Sequence, residues 1–85
     1  MAESLEETVF QTIQQIFRQC LERESPVELK HDLLRELHVD SLSAIVLAVE
    51  LENRFRVKLT ESDTTGVVTV KDLVGRVAMR VREAR

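Results

Sequence analysis

Apolar side chains recur at spacings of three and four residues in three stretches of the chain, which is the periodicity of amphipathic helices. The pattern predicts helices over residues 4–23, 41–56 and from 69 to about 83. Ser25-Pro26 is the predicted end of the first, because the residue before a proline disfavours helical geometry. The apolar face of this helix is made of Leu5, Val9, Ile13, Ile16, Phe17, Cys20 and Leu21. We therefore expect Cys20 to carry a buried, inert thiol.

Two connections separate the predicted helices. Residues 24–39 form a loop that is too long to be structureless in a small domain. Asp32 is expected to cap a single turn in it, and the leucines that should fold back onto the core are Leu29, Leu33, Leu34 and Leu37. Between Thr60 and Gly66 the sequence predicts one short helical turn, with the glycine near its end.

A capping residue precedes each long helix. Ser4 with Glu7, and Thr69 with Asp72, have the Ser/Thr-x-x-acid spacing of a capping box. Asp40 precedes the second helix, where its carboxylate can accept backbone N–H groups. The predicted fold is therefore all-α: a small four-helix bundle of three long helices and one short, with residues 1–85 forming one domain.

Composition agrees with this fold and excludes several functions. With three aromatic residues in 85, the core must be built from Leu, Val and Ile, while two Gly and one Pro suit helices better than hairpins. The single cysteine rules out an internal disulfide and a Cys-based zinc site. A net charge of −3 without a dense basic stripe argues against nucleic acid binding. No secretory leader or membrane span is recognisable, so we expect a cytoplasmic protein.

The second helix has more apolar residues than one buried face requires. The expected buried stripe consists of Leu42, Ile45, Ala48, Val49, Leu51 and Phe55. This leaves Val46 and Leu47 on the outer side. They are either scattered surface residues or part of a partner-binding face.

The tripeptide Asp40-Ser41-Leu42 is the candidate for chemistry, although by itself it can be a plain helix cap. Its context is more specific. Residues 32–42 (Asp-Leu-Leu-Arg-Glu-Leu-His-Val-Asp-Ser-Leu) resemble the approach of acyl carrier proteins to their modified serine. Residues 51–55 (Leu-Glu-Asn-Arg-Phe) resemble the end of that family's second helix, and the order of helices is similar across nearly the whole chain.

The resemblance implies a function. A phosphopantetheinyl transferase would move 4′-phosphopantetheine from coenzyme A to the Ser41 hydroxyl, with Mg²⁺ needed only during attachment. The thiol of the arm would then carry an acyl group as a thioester. Asp40 would help to place the metal, and Leu42 would lie beside the arm. The chain would be a non-catalytic monomer, and its partners would be that transferase and acyl-loading, ketosynthase or acyltransferase-type enzymes.

Two features depart from the family's pattern. His38 stands where glycine is common, so either it adopts a positive φ or the loop bends differently. Residues 50–58 hold two acids and three bases, whereas fatty-acid carriers are strongly acidic there. Steering toward a basic patch is therefore weakened. We predict a specialised carrier for a fatty-acid or polyketide-type pathway, with the partner-binding residues Leu42, Val46, Leu47, Glu50 and Arg54.

Other functions are compatible with parts of the pattern. An aminoacyl or peptidyl carrier of a nonribosomal pathway would share the modified serine. An unmodified helical module would bind a partner through the second helix. A hydrolase would need Ser41 as nucleophile and His38 as its base, but the sequence shows no evident group to orient the base and no oxyanion site. With only two His and one Cys, a metal site is not indicated.

Overall fold

The computed structural model describes residues 4–23, 25–60, 63 and 65–84. Three long helices are present, α1 (Leu5–Gln19), α2 (Ser41–Phe55) and α3 (Val70–Ala84). They confirm the predicted all-α bundle. The short turn predicted between Thr60 and Gly66 falls partly outside the described residues, although Asp63 within it has helical backbone.

The predicted caps are present where α1 and α3 begin. Ser4 Oγ accepts the N–H of Glu7 at 3.1 Å. At α3 the exchange runs both ways: the Asp72 N–H donates to Thr69 Oγ1 at 3.2 Å, and the Thr69 N–H donates to Asp72 Oδ2 at 3.1 Å. These bonds satisfy backbone donors that have no partner inside the helix, which is why α1 begins directly after Ser4 and α3 directly after Thr69.

Helix α1 ends at Gln19, well before the predicted stop at Ser25-Pro26. Glu22 has a left-handed φ of 54°, and the Arg23 N–H turns back to donate to the Phe17 carbonyl at 2.8 Å. This bond closes the helix end before the proline is reached. Cys20 therefore lies beyond the last turn and is exposed, so the prediction of a buried thiol was wrong.

All three helices contribute to one hydrophobic core, and α1 packs against both α2 and α3. The buried apolar residues are Val9, Ile13, Ile16, Phe17, Val27, Leu37, Leu47, Leu51, Val70, Leu73, Val74, Val77, Ala78 and Val81. For the last helix, the spacing of apolar residues predicts an inner face of Val70, Leu73, Val74, Val77 and Val81, and all five are buried. Removal of these side chains from water is the main force that holds the bundle together.

Helix α2 is rotated relative to the prediction. Leu47 is only 4% exposed and lies in the core with Leu51, while Ile45 is 60% and Val49 45% exposed. Leu42, which was also expected in the buried stripe, is 71% exposed. The predicted outward position of Leu47 and the predicted burial of Leu42, Ile45 and Val49 were therefore wrong. The buried pair is one helical turn apart, so both side chains share one face of α2.

The long first loop is tied to the start of α3. Asp32 forms an isolated antiparallel bridge with Thr69. The Leu33 N–H donates to the Val68 carbonyl at 2.9 Å, and the Val70 N–H donates to the His31 carbonyl at 3.0 Å. The loop thus has an ordered course across the bundle despite its length.

Asp32 also caps a turn, as predicted. Its Oδ1 accepts the N–H groups of Leu34 at 3.0 Å and Arg35 at 2.8 Å. Leu37, after this turn, is buried as expected. Leu29 and Leu34 are 41% and 65% exposed, so the prediction that they pack on the core was wrong.

In the part of the chain that the structure describes, no helix has the length and apolar character needed to cross a bilayer.

Candidate functional site

Ser41 is the first residue of α2 and is exposed. Asp40 precedes it with an extended backbone, and its Oδ1 accepts the Ser43 N–H at 2.8 Å. This hydrogen bond lowers the pKa of Asp40 below its ordinary value. The site therefore pairs an accessible hydroxyl with a carboxylate that stays ionised at neutral pH.

The chain reaches Ser41 through a turn at His38. This residue has a φ of 56°, in the left-handed region that favours glycine but is also visited by histidine. On either side, Leu37 is buried and Val39 donates its N–H to the Leu33 carbonyl at 2.8 Å. Of the two outcomes considered for this position, the structure shows the first: His38 adopts the positive φ itself.

A cavity of about 540 Å³ lies between α2, the first loop and the segment before α3. Its lining is mostly apolar, and among the described residues that line it only Asp32 and Arg35 are charged. The described lining residues are Asp32, Leu33, Leu34, Arg35, Val39, Ala44, Leu47, Ala48, Leu51, Leu59, Val67, Val68 and Leu73. Helix α2 contributes the face that begins one turn after Ser41. A cavity of this size and character suits an apolar ligand.

Sequence reasoning missed this cavity. The available signal was Ala44 and Ala48, two small residues one turn apart on the face of α2 that also carries Leu47 and Leu51. Small side chains between large ones leave space where an otherwise apolar helix face meets its neighbours.

The predicted partner-binding residues occupy three different environments. Leu42 is exposed, as a residue that contacts a partner must be, and Val46 is half-buried. Leu47 lies in the core and is not on the surface at all. Glu50 and Arg54 form an ion pair at 3.5 Å. The structure therefore keeps Leu42 next to Ser41 but moves Leu47 to the opposite side of the helix.

Arg54 also reaches across to α1. Its guanidinium lies 3.5 Å from Gln15 Oε1 and 3.4 Å from Gln19 Oε1. This side chain thus connects the two helices in addition to pairing with Glu50.

The residues that prediction missed on the outer surface are Ile45 and Val49, which share a line with Leu42.

Comparison with known proteins agrees with this geometry. Residues 11–77 match the family of the phosphopantetheine attachment site. The chain is 37% identical over 70 residues to acyl carrier protein 3 of Ralstonia nicotianae, covering 79% of this chain and 78% of that protein. It is 29% identical over 69 residues to an acyl carrier protein of Coprothermobacter proteolyticus, covering 80% and 84% respectively.

A solved structure is also similar. A protein from Mycobacterium tuberculosis assigned as an acyl carrier protein superposes with a TM-score of 0.70 at 30% identity, covering 89% of this chain and 97% of that one. The matched family, together with the exposed serine at the start of α2, defines the class of this protein as a carrier domain. The chain belongs to the phosphopantetheine-binding acyl carrier protein family.

Membership of this family sets the coarse function. Acyl carrier proteins are non-catalytic, and this one has a phosphopantetheine attachment site. Its partners accordingly include a phosphopantetheinyl transferase and enzymes that handle acyl groups. The residues present fit the prosthetic group, since a flexible arm needs an accessible hydroxyl and Ser41 supplies one at the surface.

Proposed function

We propose that Ser41 is the residue that receives the arm. Its exposure lets a transferase reach the hydroxyl, and the ionised Asp40 beside it can help to hold the Mg²⁺ of the transfer. In the transfer, the Ser41 hydroxyl loses its proton and its oxygen bonds to the phosphorus on the pantetheine side of coenzyme A, while the pyrophosphate P–O bond breaks and releases adenosine 3′,5′-bisphosphate. The arm then projects from the start of α2 with its thiol free to form a thioester.

The single observation that supports the acyl cargo best is the apolar cavity on the inner side of α2. Ala44, Leu47 and Ala48 line it within two turns of Ser41, so an arm attached there can fold its cargo inward. Burial of an acyl chain among these side chains is favourable because it removes apolar surface from water. An aminoacyl cargo with a charged amine would be disfavoured in the same space.

The pathway is proposed to be a dedicated one of fatty-acid or polyketide type, in the cytoplasm, with residues 1–85 acting as one carrier domain. The support is the charge of α2: Glu50 and Glu52 are its only acids, and Arg54 offsets one of them. Competition for a housekeeping ketosynthase against an ordinary acidic carrier tests this. Comparable use of the two carriers would contradict a specialised role.

Intact-mass measurement tests the attachment. The protein is incubated with coenzyme A, Mg²⁺ and a broad-specificity transferase, and a gain of one phosphopantetheine is expected. Ser41→Ala should abolish the gain without unfolding the bundle, since alanine is a good helix residue. Ser43→Ala, which removes the next serine of the same helix, is the matched control and should leave the gain unchanged. No gain in the folded wild-type protein would favour an unmodified interaction module.

A further inference from the structure

The exposed side of α2 carries three large apolar side chains in one line. Leu42 is 71%, Ile45 60% and Val49 45% exposed. Their spacings of three and four residues place them on a single face of the helix, and we call this set the outer stripe. It begins next to Ser41 and runs toward Arg56, the residue that caps the C-terminal end of α2.

The acids of α2 do not give this stripe a free negative charge. Glu50 is half-buried, and its Oε1 lies 3.5 Å from Arg54 Nη2. Glu52 is also half-buried, and its Oε2 accepts the Leu59 N–H at 2.8 Å. Both carboxylates are therefore engaged within the protein.

The free charge at the far end of the stripe is positive. Arg56 and Lys58 are exposed, and within residues 4–23, 25–60, 63 and 65–84 neither forms an ion pair. Along the helix from Ser41 to Arg56, at 1.5 Å per residue, the distance is about 22 Å. From Ser41 toward Arg56, the exposed side of α2 therefore consists of the apolar outer stripe followed by two cations.

We propose that Arg56 and Lys58 make this carrier selective, among the acyl-handling enzymes that dock on α2, for those whose binding site carries carboxylates about 22 Å from the arm's point of attachment. This inference rests on the proposed function, since the stripe matters for transfer only if Ser41 carries the arm. Apolar contact supplies the affinity, because Leu42, Ile45 and Val49 leave water on docking. Attraction between the enzyme's carboxylates and the cations of Arg56 and Lys58 fixes the direction in which α2 lies on the enzyme.

A second copy of this chain is a poorer occupant of the stripe. Stable interfaces bury about 1,200–2,000 Å² in total, which is far more than one line of three side chains on each partner provides. A carrier also has to leave each enzyme after transfer, and small interfaces suit such transient encounters.

The test uses the loaded protein, whose modification is first verified by mass. A ketosynthase with a basic docking patch is compared with the same enzyme after replacement of the Lys and Arg of that patch by Glu. We expect the kcat/KM of this carrier to be about tenfold higher with the acidic variant, and an ordinary acidic carrier to show the reverse order. Equal or better use of the basic enzyme by this carrier would overturn the proposal.

Variants of the carrier connect that preference to the outer stripe. Ile45→Ser and Arg56→Glu should each lower kcat/KM with the acidic variant by about tenfold. The matched controls are Met79→Ser, which replaces an exposed apolar residue of α3, and Arg18→Glu, which reverses an exposed charge of α1. Both controls should leave kcat/KM unchanged, and equal losses in controls and stripe variants would refute the assignment.

The two proposals fail in distinguishable ways. If Ser41 gains no mass, the proposed function fails and the docking inference falls with it. If Ser41 is loaded but the polarity preference is absent, only the docking inference fails. A dimer in sedimentation experiments that Ile45→Ser dissociates would instead assign the stripe to a second copy of the chain and overturn the proposal.

Discussion

Arg80 Nε donates to Oδ1 of Asp63 at 2.8 Å, and this carboxylate is 1% exposed. The second oxygen of Asp63 accepts both the N–H of Thr60 at 2.8 Å and its hydroxyl at 3.0 Å. All of these donors favour the ionised carboxylate, which is how a buried acid is tolerated. The Asp63 carboxylate thus links Thr60, which follows the cavity-lining residue Leu59, to Arg80 of α3.

Asp63→Asn should lower the thermal midpoint by several degrees, because the neutral amide loses the charge attraction to Arg80 and presents a donor where donors already converge. Glu83→Gln is the matched control, since Glu83 pairs with the same arginine at 3.3 Å but is exposed. Circular dichroism melts measure both variants. A shift for Glu83→Gln as large as that for Asp63→Asn would show that the buried position of Asp63 is not what matters.

The stability contributed by Asp63 should depend on pH. The hydrogen bond from the Thr60 N–H, followed by the bond from Arg80, holds the pKa of Asp63 below its ordinary value of 3.8. The unfolded chain therefore binds the proton first as the pH falls, and the contribution is present above the ordinary value and lost as the pH falls through the lowered one. The difference in thermal midpoint between wild type and Asp63→Asn should shrink below about pH 4. A constant difference down to the acid limit would contradict this.

Two substitutions of Asp40 should separate its role as a helix cap from its role in the transfer of phosphopantetheine. Asp40→Asn keeps a side-chain oxygen for the Ser43 N–H, so the thermal midpoint should change little. Asp40→Ala removes the cap and should lower the midpoint by several degrees. The transfer of phosphopantetheine to Ser41 should be slower in both, because both lose the charge. Normal transfer rates in the folded Asn variant would show that this carboxylate only caps the helix.

The rotation of α2 predicts opposite results for neighbouring residues. Leu47→Ala should cost about 2–5 kcal/mol of unfolding free energy, because it leaves a hole in the core. Ile45→Ala should change that free energy by less than about 0.5 kcal/mol, because its side chain is already in water. Urea denaturation measures both. A larger loss for Ile45→Ala would mean that the outer stripe is not exposed.

Filling the cavity should expose the cargo. Ala48→Phe places a ring among the lining residues and should speed hydrolysis of an acyl thioester by several-fold, because the chain can no longer be withdrawn from water. Ala84→Phe, at an exposed position of α3, is the control and should leave the hydrolysis rate unchanged. The rates are followed by intact mass over time. Equal rates in the two variants would argue against storage of the acyl chain in this cavity.

Local interactions made much of this fold predictable. Ser4, Asp40 and Thr69 each accept the amide three residues ahead, so their capping roles depend on nothing distant. The end of α1 was harder, because it is closed by Glu22 in a left-handed conformation where the sequence offers no glycine. The exposure of Cys20 follows from that early end and was missed with it.

The sequence by itself determined the three helices, their caps and the serine that opens α2, because short-range periodicity and backbone hydrogen bonds are written in neighbouring residues. Only the tertiary structure decided which side of α2 faces inward. Ile45, Val46, Leu47 and Val49 are all apolar, so periodicity allows more than one buried face. Packing against α1 selected Leu47 and Leu51, turned Ile45 and Val49 to the surface, and left the cavity beside Ala44 and Ala48.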